Sequence, residues 1–197
     1  MRLKNIFFLL TYFLFLVQFL NAAEETSRGP LKISADETIS RDKGKWIEAK
    51  GNVWIFYTLE SEDVLESYSN FARFDDSNKS GELLGSPKAI WKRKDPNQPS
   101  ITLTAERILL EIEKERLIAY GNVFVYQAGS TLSAEEVNFS NPEKKLFATG
   151  SRPEFNVIAP EHKTKISAEQ ITAWTDKKTI YFNGKVHGII NLSSNPQ

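Results

Sequence analysis

The sequence contains no cysteine, a single methionine and only two histidines. Without thiols there are no disulfides, no thiolate nucleophile and no cysteine-ligated metal. A charge excess of one sign is also missing, because 25 Lys and Arg balance 25 Asp and Glu. Without its first 23 residues the chain loses Arg2 and Lys4 and no acid, leaving 23 basic against 25 acidic residues. A nucleic-acid partner, which calls for a basic surface, is therefore not expected. No G-x-S-x-G elbow and no glycine-rich phosphate loop occurs, which argues against the hydrolase and nucleotide-binding classes those motifs serve.

Arg2 and Lys4 precede the apolar run Ile6 to Leu20, followed by Asn21-Ala-Ala-Glu24. A basic start, fifteen apolar-rich residues and small residues at the exit describe a secretory signal over residues 1–23. The run is short for a membrane-spanning helix, which needs about 20 residues; an uncleaved anchor is the alternative. No cysteine follows it to carry a lipid. Residues 24–197 are expected to form a single domain, of a length suited to one.

Self-similarity is the strongest signal in the mature chain. Lys45-Trp-Ile-Glu-Ala-Lys-Gly-Asn-Val-Trp-Ile-Phe56 returns, with substitutions, as Arg116-Leu-Ile-Ala-Tyr-Gly-Asn-Val-Phe-Val-Tyr126. In both, apolar or small residues fall at every second place: Ile47, Ala49, Gly51, Val53 and Ile55, then Leu117, Ala119, Gly121, Val123 and Val125. Period two marks a strand, and a mid-strand glycine marks a bend or a close approach. Each such glycine follows an alanine by sixteen positions: Ala35 and Gly51, Ala105 and Gly121, Ala134 and Gly150, Ala168 and Gly184. A degraded copy runs from Ser69 to Gly85. The glycines step by 34, 36, 29 and 34 residues, so a constant two-strand unit is joined by loops of unequal length.

Hairpin arms are predicted at about 31–40 and 45–57, 64–74 and 81–91, 101–112 and 116–126, 131–140 and 145–157, and 164–174 and 179–191. Turn-forming residues stand between them, as in Arg41-Asp-Lys-Gly44 and Asn141-Pro-Glu143. The window Ala105 to Leu117 has the strongest helical character, but its place in the repeat makes it a strand pair. The expectation is an all-β, folded-over antiparallel sheet of five two-strand units, with small residues where the sheet folds. Its first and last arms would be unpaired edges suited to joining another copy.

The repeated acids after each alanine, Asp36, Glu106, Glu135 and Glu169, with Asn70 in the weak copy, would lie along a line. They are read as solvent-facing strand ends and not as convergent ligands or catalysts; no enzyme, metal or cofactor is expected. His162 and His187 are read as surface or satisfied histidines. Trp46, Trp54, Phe56, Phe124, Tyr126 and Phe155 fall opposite the Ala/Gly row. Parity does not decide which face is enclosed, nor whether it is an ordinary packed core or a trough open to apolar ligands.

Pro30-Leu-Lys-Ile-Ser-Ala-Asp36, Gly51-Asn-Val53, Gly85-Ser-Pro87, Gly121-Asn-Val123 and Leu146-Phe-Ala-Thr-Gly150 resemble, in order, the OstA/LptA family of lipopolysaccharide transport proteins. The resemblance implies a periplasmic antiparallel β-jelly roll, open at both ends and joined end to end into a homo-oligomer. It implies lipopolysaccharide or a related lipid as cargo, with an inner-membrane extraction complex and an outer-membrane barrel as partners. By motif position it places lipid contacts at Leu31, Ile33, Ile90, Leu110 and Ile112, and more loosely at Ser27. The alternating faces add Ile47, Ala49, Val53, Leu117, Ala119 and Val123 as groove residues. The long loop Lys92 to Pro99 and the fifth repeat depart from the family pattern. Two alternatives stand beside this reading: the related membrane-anchored subunit of the same pathway, and a structural repeat protein with a dry core. Mass measurement of the exported chain checks the leader: cleavage is expected near Ala22 or Ala23, whereas a retained leader gives the anchored alternative.

Overall fold

The computed structural model describes residues 29–158, 162–177 and 179–192. Within them the chain is all-β, an antiparallel jelly roll made by folding one long meander over on itself. The leader, Ser27 and the side chain of His162 lie outside the described residues.

All ten arms occur where the repeat predicts them, but six are broken in the middle, giving sixteen strands instead of ten. The first arm is β1 (Lys32–Ser34) and β2 (Glu37–Arg41), followed by the unbroken β3 (Trp46–Thr58) and β4 (Val64–Asp75). The next two are β5 (Ser80–Leu84) with β6 (Lys88–Lys92), and β7 (Ile101–Thr104) with β8 (Arg107–Glu111). Two more unbroken arms, β9 (Arg116–Gln127) and β10 (Ser130–Ser140), precede β11 (Lys145–Thr149) and β12 (Glu154–Ile158). The last are β13 (His162–Ser167) with β14 (Gln170–Trp174), and β15 (Thr179–Asn183) with β16 (His187–Leu192). The helical propensity of 105–117 yields to the ladder, since β8 pairs with both β5 and β9.

The breaks divide the sheet into two leaves. A lower leaf runs β2, the first half of β3, the second half of β4, β5, β8, the first half of β9, the second half of β10, β11, β14 and β15. An upper leaf runs β1, the other halves of β3 and β4, β6, β7, the other halves of β9 and β10, β12, β13 and β16. The unbroken arms cross the fold line through irregularities at Lys50/Val53 and Ala134/Glu136. A two-versus-one mismatch of this kind bends a strand sharply.

Chemistry at the fold line explains the repeat. In every copy the residue after the alanine position lies over the glycine fifteen positions on: Asp36 over Gly51, Asn70 over Gly85, Glu106 over Gly121, Glu135 over Gly150 and Glu169 over Gly184. Gly121 has a φ of +72°, and a Cβ there would come within 2.5 Å of Glu106 Oε2. The Glu106 N–H donates to the Gly121 carbonyl at 3.0 Å, and Asn122 Nδ2 donates to Glu106 Oε1 at 2.6 Å. Asp36 repeats the arrangement with the Gly51 carbonyl at 2.9 Å and Asn52 Nδ2 at 2.9 Å. This accounts for Gly-Asn: glycine supplies the left-handed backbone and the space, and asparagine, itself at positive φ (46° and 45°), ties the acid down. The acids are exposed, as expected from the sequence.

Folding brings one face of each leaf inward. Across the lower leaf the directly paired residues Ala49, Ala72, Leu83, Ile108, Ala119, Val137, Ala148 and Ile171 are all buried, none more than 1 % exposed. Across the upper leaf the equivalent row is Ile33, Ile55, Ser67, Ala89, Leu103, Val125, Leu132 and Phe155. The alternation of small and large residues lets the leaves interdigitate. Phe155 corrects the sequence reading, which put it with the outer aromatics. The break between β11 and β12 shifts the parity, and Phe155 pairs with Leu132 and Ile166 and packs against the core. Trp46, Trp54, Phe56, Phe124 and Tyr126 do face outward, opposite the buried row. Among the described residues, β1 and β2 at one end and β15 and β16 at the other each pair on one side only.

Gly150, at φ +104°, lies against the Glu135 Cβ, which no side-chain rotation can move. Gly150→Ala is expected to cost about 2–4 kcal/mol by combining backbone strain with a clash. Gly44→Ala, at φ +93° with nothing within 4 Å, is expected to cost only about 1–2 kcal/mol. Urea denaturation of the two variants measures the difference.

Candidate functional site

The enclosed face is the candidate site, and most residues named from the sequence meet there. Ala49, Val53, Leu110, Leu117, Ala119 and Val123 are buried in one continuous core; Leu31, Ile33, Ile47 and Ile112 are partly buried against it. Ile90 is the exception and a correction. It lies between the buried Ala89 and Trp91 on β6, and its partners Glu66 and Thr102 are on the outer surface. Counting forward from Gly85-Ser-Pro87 reaches the right strand, but period-two geometry puts Ile90 on its wrong side. Trp91 takes the interior place.

The sequence allows both a packed core and an open trough. In this conformation the interior is packed. Between the leaves a cavity of about 30 Å³ is lined by Leu65, Ala89, Trp91, Ile101, Leu103 and Val125 from above and Leu117, Phe139 and Leu146 from below. That is room for about one water molecule, in a lining too apolar to hold one. Trp91 meets Phe139 edge to face at 4.9 Å between centroids, spanning the two leaves. Ser67, fully buried in the upper row, has no hydrogen-bond partner for its hydroxyl.

Opposite the fold line, where the leaves would part, the seam is polar. The lower rim is a chain of turns linked by backbone bonds: Asp76 N–H to the Lys45 carbonyl at 2.8 Å, Ile112 to Lys79 at 2.9 Å, Asn141 to Glu115 at 3.0 Å and Thr175 to Lys144 at 2.8 Å. From the upper leaf, the β3–β4 turn reaches down to it. The Glu60 N–H donates to Glu115 Oε1 at 2.8 Å, and Asn141 Nδ2 donates to Glu115 Oε2 at 2.5 Å. Asn141 Nδ2 also lies 3.5 Å from the Ser61 hydroxyl. Glu115 and Asn141 are buried, at 8 % and 2 % exposure. Sequence reasoning placed both in turns but did not join them. Their separation of 26 residues has no signature within one repeat.

The same turn is anchored by Asp63, also buried. Its carboxylate accepts from the Trp91 indole at 3.0 Å, Arg93 Nη1 at 3.1 Å and the Lys94 N–H at 2.9 Å. Burial pushes the Asp63 pKa up. The indole, the Lys94 amide and the Arg93 guanidinium together outweigh burial and hold it below the ordinary aspartate value. Among the described residues no group of three or more His, Cys, Asp or Glu side chains could hold a metal ion. His187 is exposed on β16.

The fold thus defines a folded-over β-roll with an apolar interior and a polar seam. No family model matches the sequence, and no curated protein matches it. Among solved structures, the chain is similar to the crystal structure of LptH, the LptA homologous periplasmic component of the conserved lipopolysaccharide transport device from Pseudomonas aeruginosa. The two share 13 % identity at a TM-score of 0.45, over 85 % of this chain and 96 % of that one. A superposition at that level carries no functional weight.

Asp63 gives a pH-dependent prediction. Its folded-state pKa is depressed, so the stabilisation is fully present above the unfolded value of about 3.9. It is lost as pH falls through the lower folded value. Asp63→Asn, which leaves Arg93 without its counter-charge in a largely buried place, should lose about 3 kcal/mol at pH 7. The gap to the parent should shrink as pH falls below 4, read by urea denaturation across the range.

Proposed function

We propose that this protein is a periplasmic, non-catalytic carrier that shields the acyl chains of lipopolysaccharide, or a related envelope lipid, between its two leaves. It would pass them between an inner-membrane extraction complex and an outer-membrane barrel, with end-to-end copies lengthening the path. The observation that carries the reading is a continuous apolar floor running the length of a sheet whose two leaves share one fold line and whose end strands, among the described residues, each pair on one side only. The motifs shared in order with the OstA/LptA family support the choice of cargo.

The energetics fit that role. Each buried acyl CH₂ is worth about 0.8 kcal/mol. A chain of a dozen carbons would therefore cost on the order of 10 kcal/mol to expose to water, and an apolar enclosure must replace the membrane throughout the crossing. Transfer between two identical enclosures is nearly isoenergetic, so direction comes from a partner that consumes energy. A structural repeat protein with a dry core is the second reading, favoured by the small volume between the leaves.

Leu110 is unsuited to a charge-insertion test, because at 1 % exposure a carboxylate there would be buried and unpaired. A photoreactive side chain at Ile33 or Ile112, both partly buried against the core, is expected to crosslink lipopolysaccharide in cells. The same group at Ile90, on the outer surface, is expected to give little or none. Equal lipid adducts at all three positions, or none at any, would remove the interior as the carrier site.

A further inference from the structure

An interior with voids of only about 30 and 10 Å³ between its leaves must part before a hydrocarbon chain can enter it, and the seam shows where. We propose that the β3–β4 turn, residues 59–63, is a flap and that Glu115 with Asn141 is its latch. Released, the gap between this flap and the lower-rim turns is the portal through which a lipid's hydrocarbon chain passes sideways into the interior. The inference rests on the carrier reading and deepens it by naming how access is controlled.

Three observations converge on this place. The flap is a self-contained unit: Leu59 N–H donates to the Asp63 carbonyl and Glu62 N–H to the Leu59 carbonyl, both at 2.9 Å. Asp63 fixes it to Trp91, Arg93 and Lys94 of its own leaf, so it is suited to move with the upper leaf as a body. Its hydrogen bonds to the lower leaf are made by the Glu60 amide and Ser61 on Glu115 and Asn141, beside the buried Leu59. Directly beneath lies a second small void, about 10 Å³, bounded by Tyr57, Leu59 and Trp91 above and Leu110, Glu115 and Leu117 below. The apolar space therefore reaches the latch itself.

The chemistry of the latch suits repeated opening. A buried carboxylate is tolerated only with its oxygens satisfied, and here one donor comes from each leaf. A seam meant to stay shut is better served by apolar packing, which commonly matches or exceeds a buried charged contact in stability. A hydrogen-bonded latch instead exchanges its partners for water when it parts. Glu115 and Asn141 would be rehydrated on opening, and the apolar surface uncovered beside them would be covered by the incoming chain. Lys144 Nζ, 2.6 Å from Asn141 Oδ1, holds the amide so that its NH₂ faces Glu115.

Because the chain has no cysteine, Ser61→Cys/Asn141→Cys can close the seam covalently, by oxidation or with a short bis-maleimide. The readout is uptake of a fluorescent dodecanoic acid by the full mature chain. Locking is expected to abolish uptake. The reduced pair, which lacks the Asn141 amide, and Glu115→Ala are each expected to take up the probe several-fold faster than the parent. Hydrogen exchange should rise in residues 57–64 of Glu115→Ala and stay unchanged at the Gly51 and Gly121 fold line. Equal uptake by locked and reduced protein, or slower uptake by Glu115→Ala, would overturn the flap while leaving the carrier reading intact. No uptake by any form, Glu115→Ala included, would overturn the carrier reading and the portal together. If the cysteine pair does not fold, Glu115→Ala alone decides by the same uptake and exchange measurements.

Discussion

A ten-arm antiparallel meander has two faces, and with no α-helix among the described residues to cover it, it can bury one face only against itself. That constraint fixes what each repeat must contain. The sheet has to bend along one line across every arm, and the bend needs left-handed backbone, an absent Cβ and a group to hold the crossing. Glycine at φ near +70° with an acid or asparagine lying over it meets all three needs in copies such as Asp36 over Gly51 and Glu106 over Gly121. The alternation of Ala, Val and Ile around the bend then places every other side chain inside both leaves, so the core follows from the fold line.

The fold line and the seam opposite it are made of different chemistry, and the difference has mechanical meaning. Covalent backbone and interlocked side chains hold the fold line, where the leaves cannot part without breaking strands. The seam is held by a carboxylate, an amide and a backbone N–H shared between turns of the two leaves. In the proposed flap, a chain entering the roll from the side would pass there, against Glu115 and Asn141. A shut resting state would reconcile the dry interior with the proposed carrier role.

The sequence carried the repeat and the interior better than the seam. Constant spacing from Ala35 to Gly51 and from Ala105 to Gly121 encodes a contact between neighbouring arms, so it survives as a pattern in one dimension. Ile47, Ala49 and Val53 were legible as one face because alternation is a local property. Phe155 was misplaced because it stands a few residues past the break from Gly150 to Pro153, where the chain leaves one leaf and joins the other and the parity shifts. Ile90 was placed by motif position, whereas alternation carried from Leu83 to Ala89 and Trp91 puts it on the outer side. Glu115 and Asn141 come from the turns of two different arm pairs, and Ser61 from the link between two others. Nothing in their spacing signals that twist and closure of the leaves would bring them together.

Each arm of the roll touches the arm before it and the arm after it, and the ladder advances without a long crossover. Such an object behaves as a nearly linear array, in which length is independent of cross-section. Inserting or deleting one complete hairpin would alter its span by roughly 10 Å, two strand spacings, while the neighbouring layers kept their packing. The unequal linkers between copies, from the two residues after β9 to the eight between β6 and β7, are where such growth or loss would be absorbed. The architecture can thus be tailored to the width of a gap simply by changing how many copies are strung together.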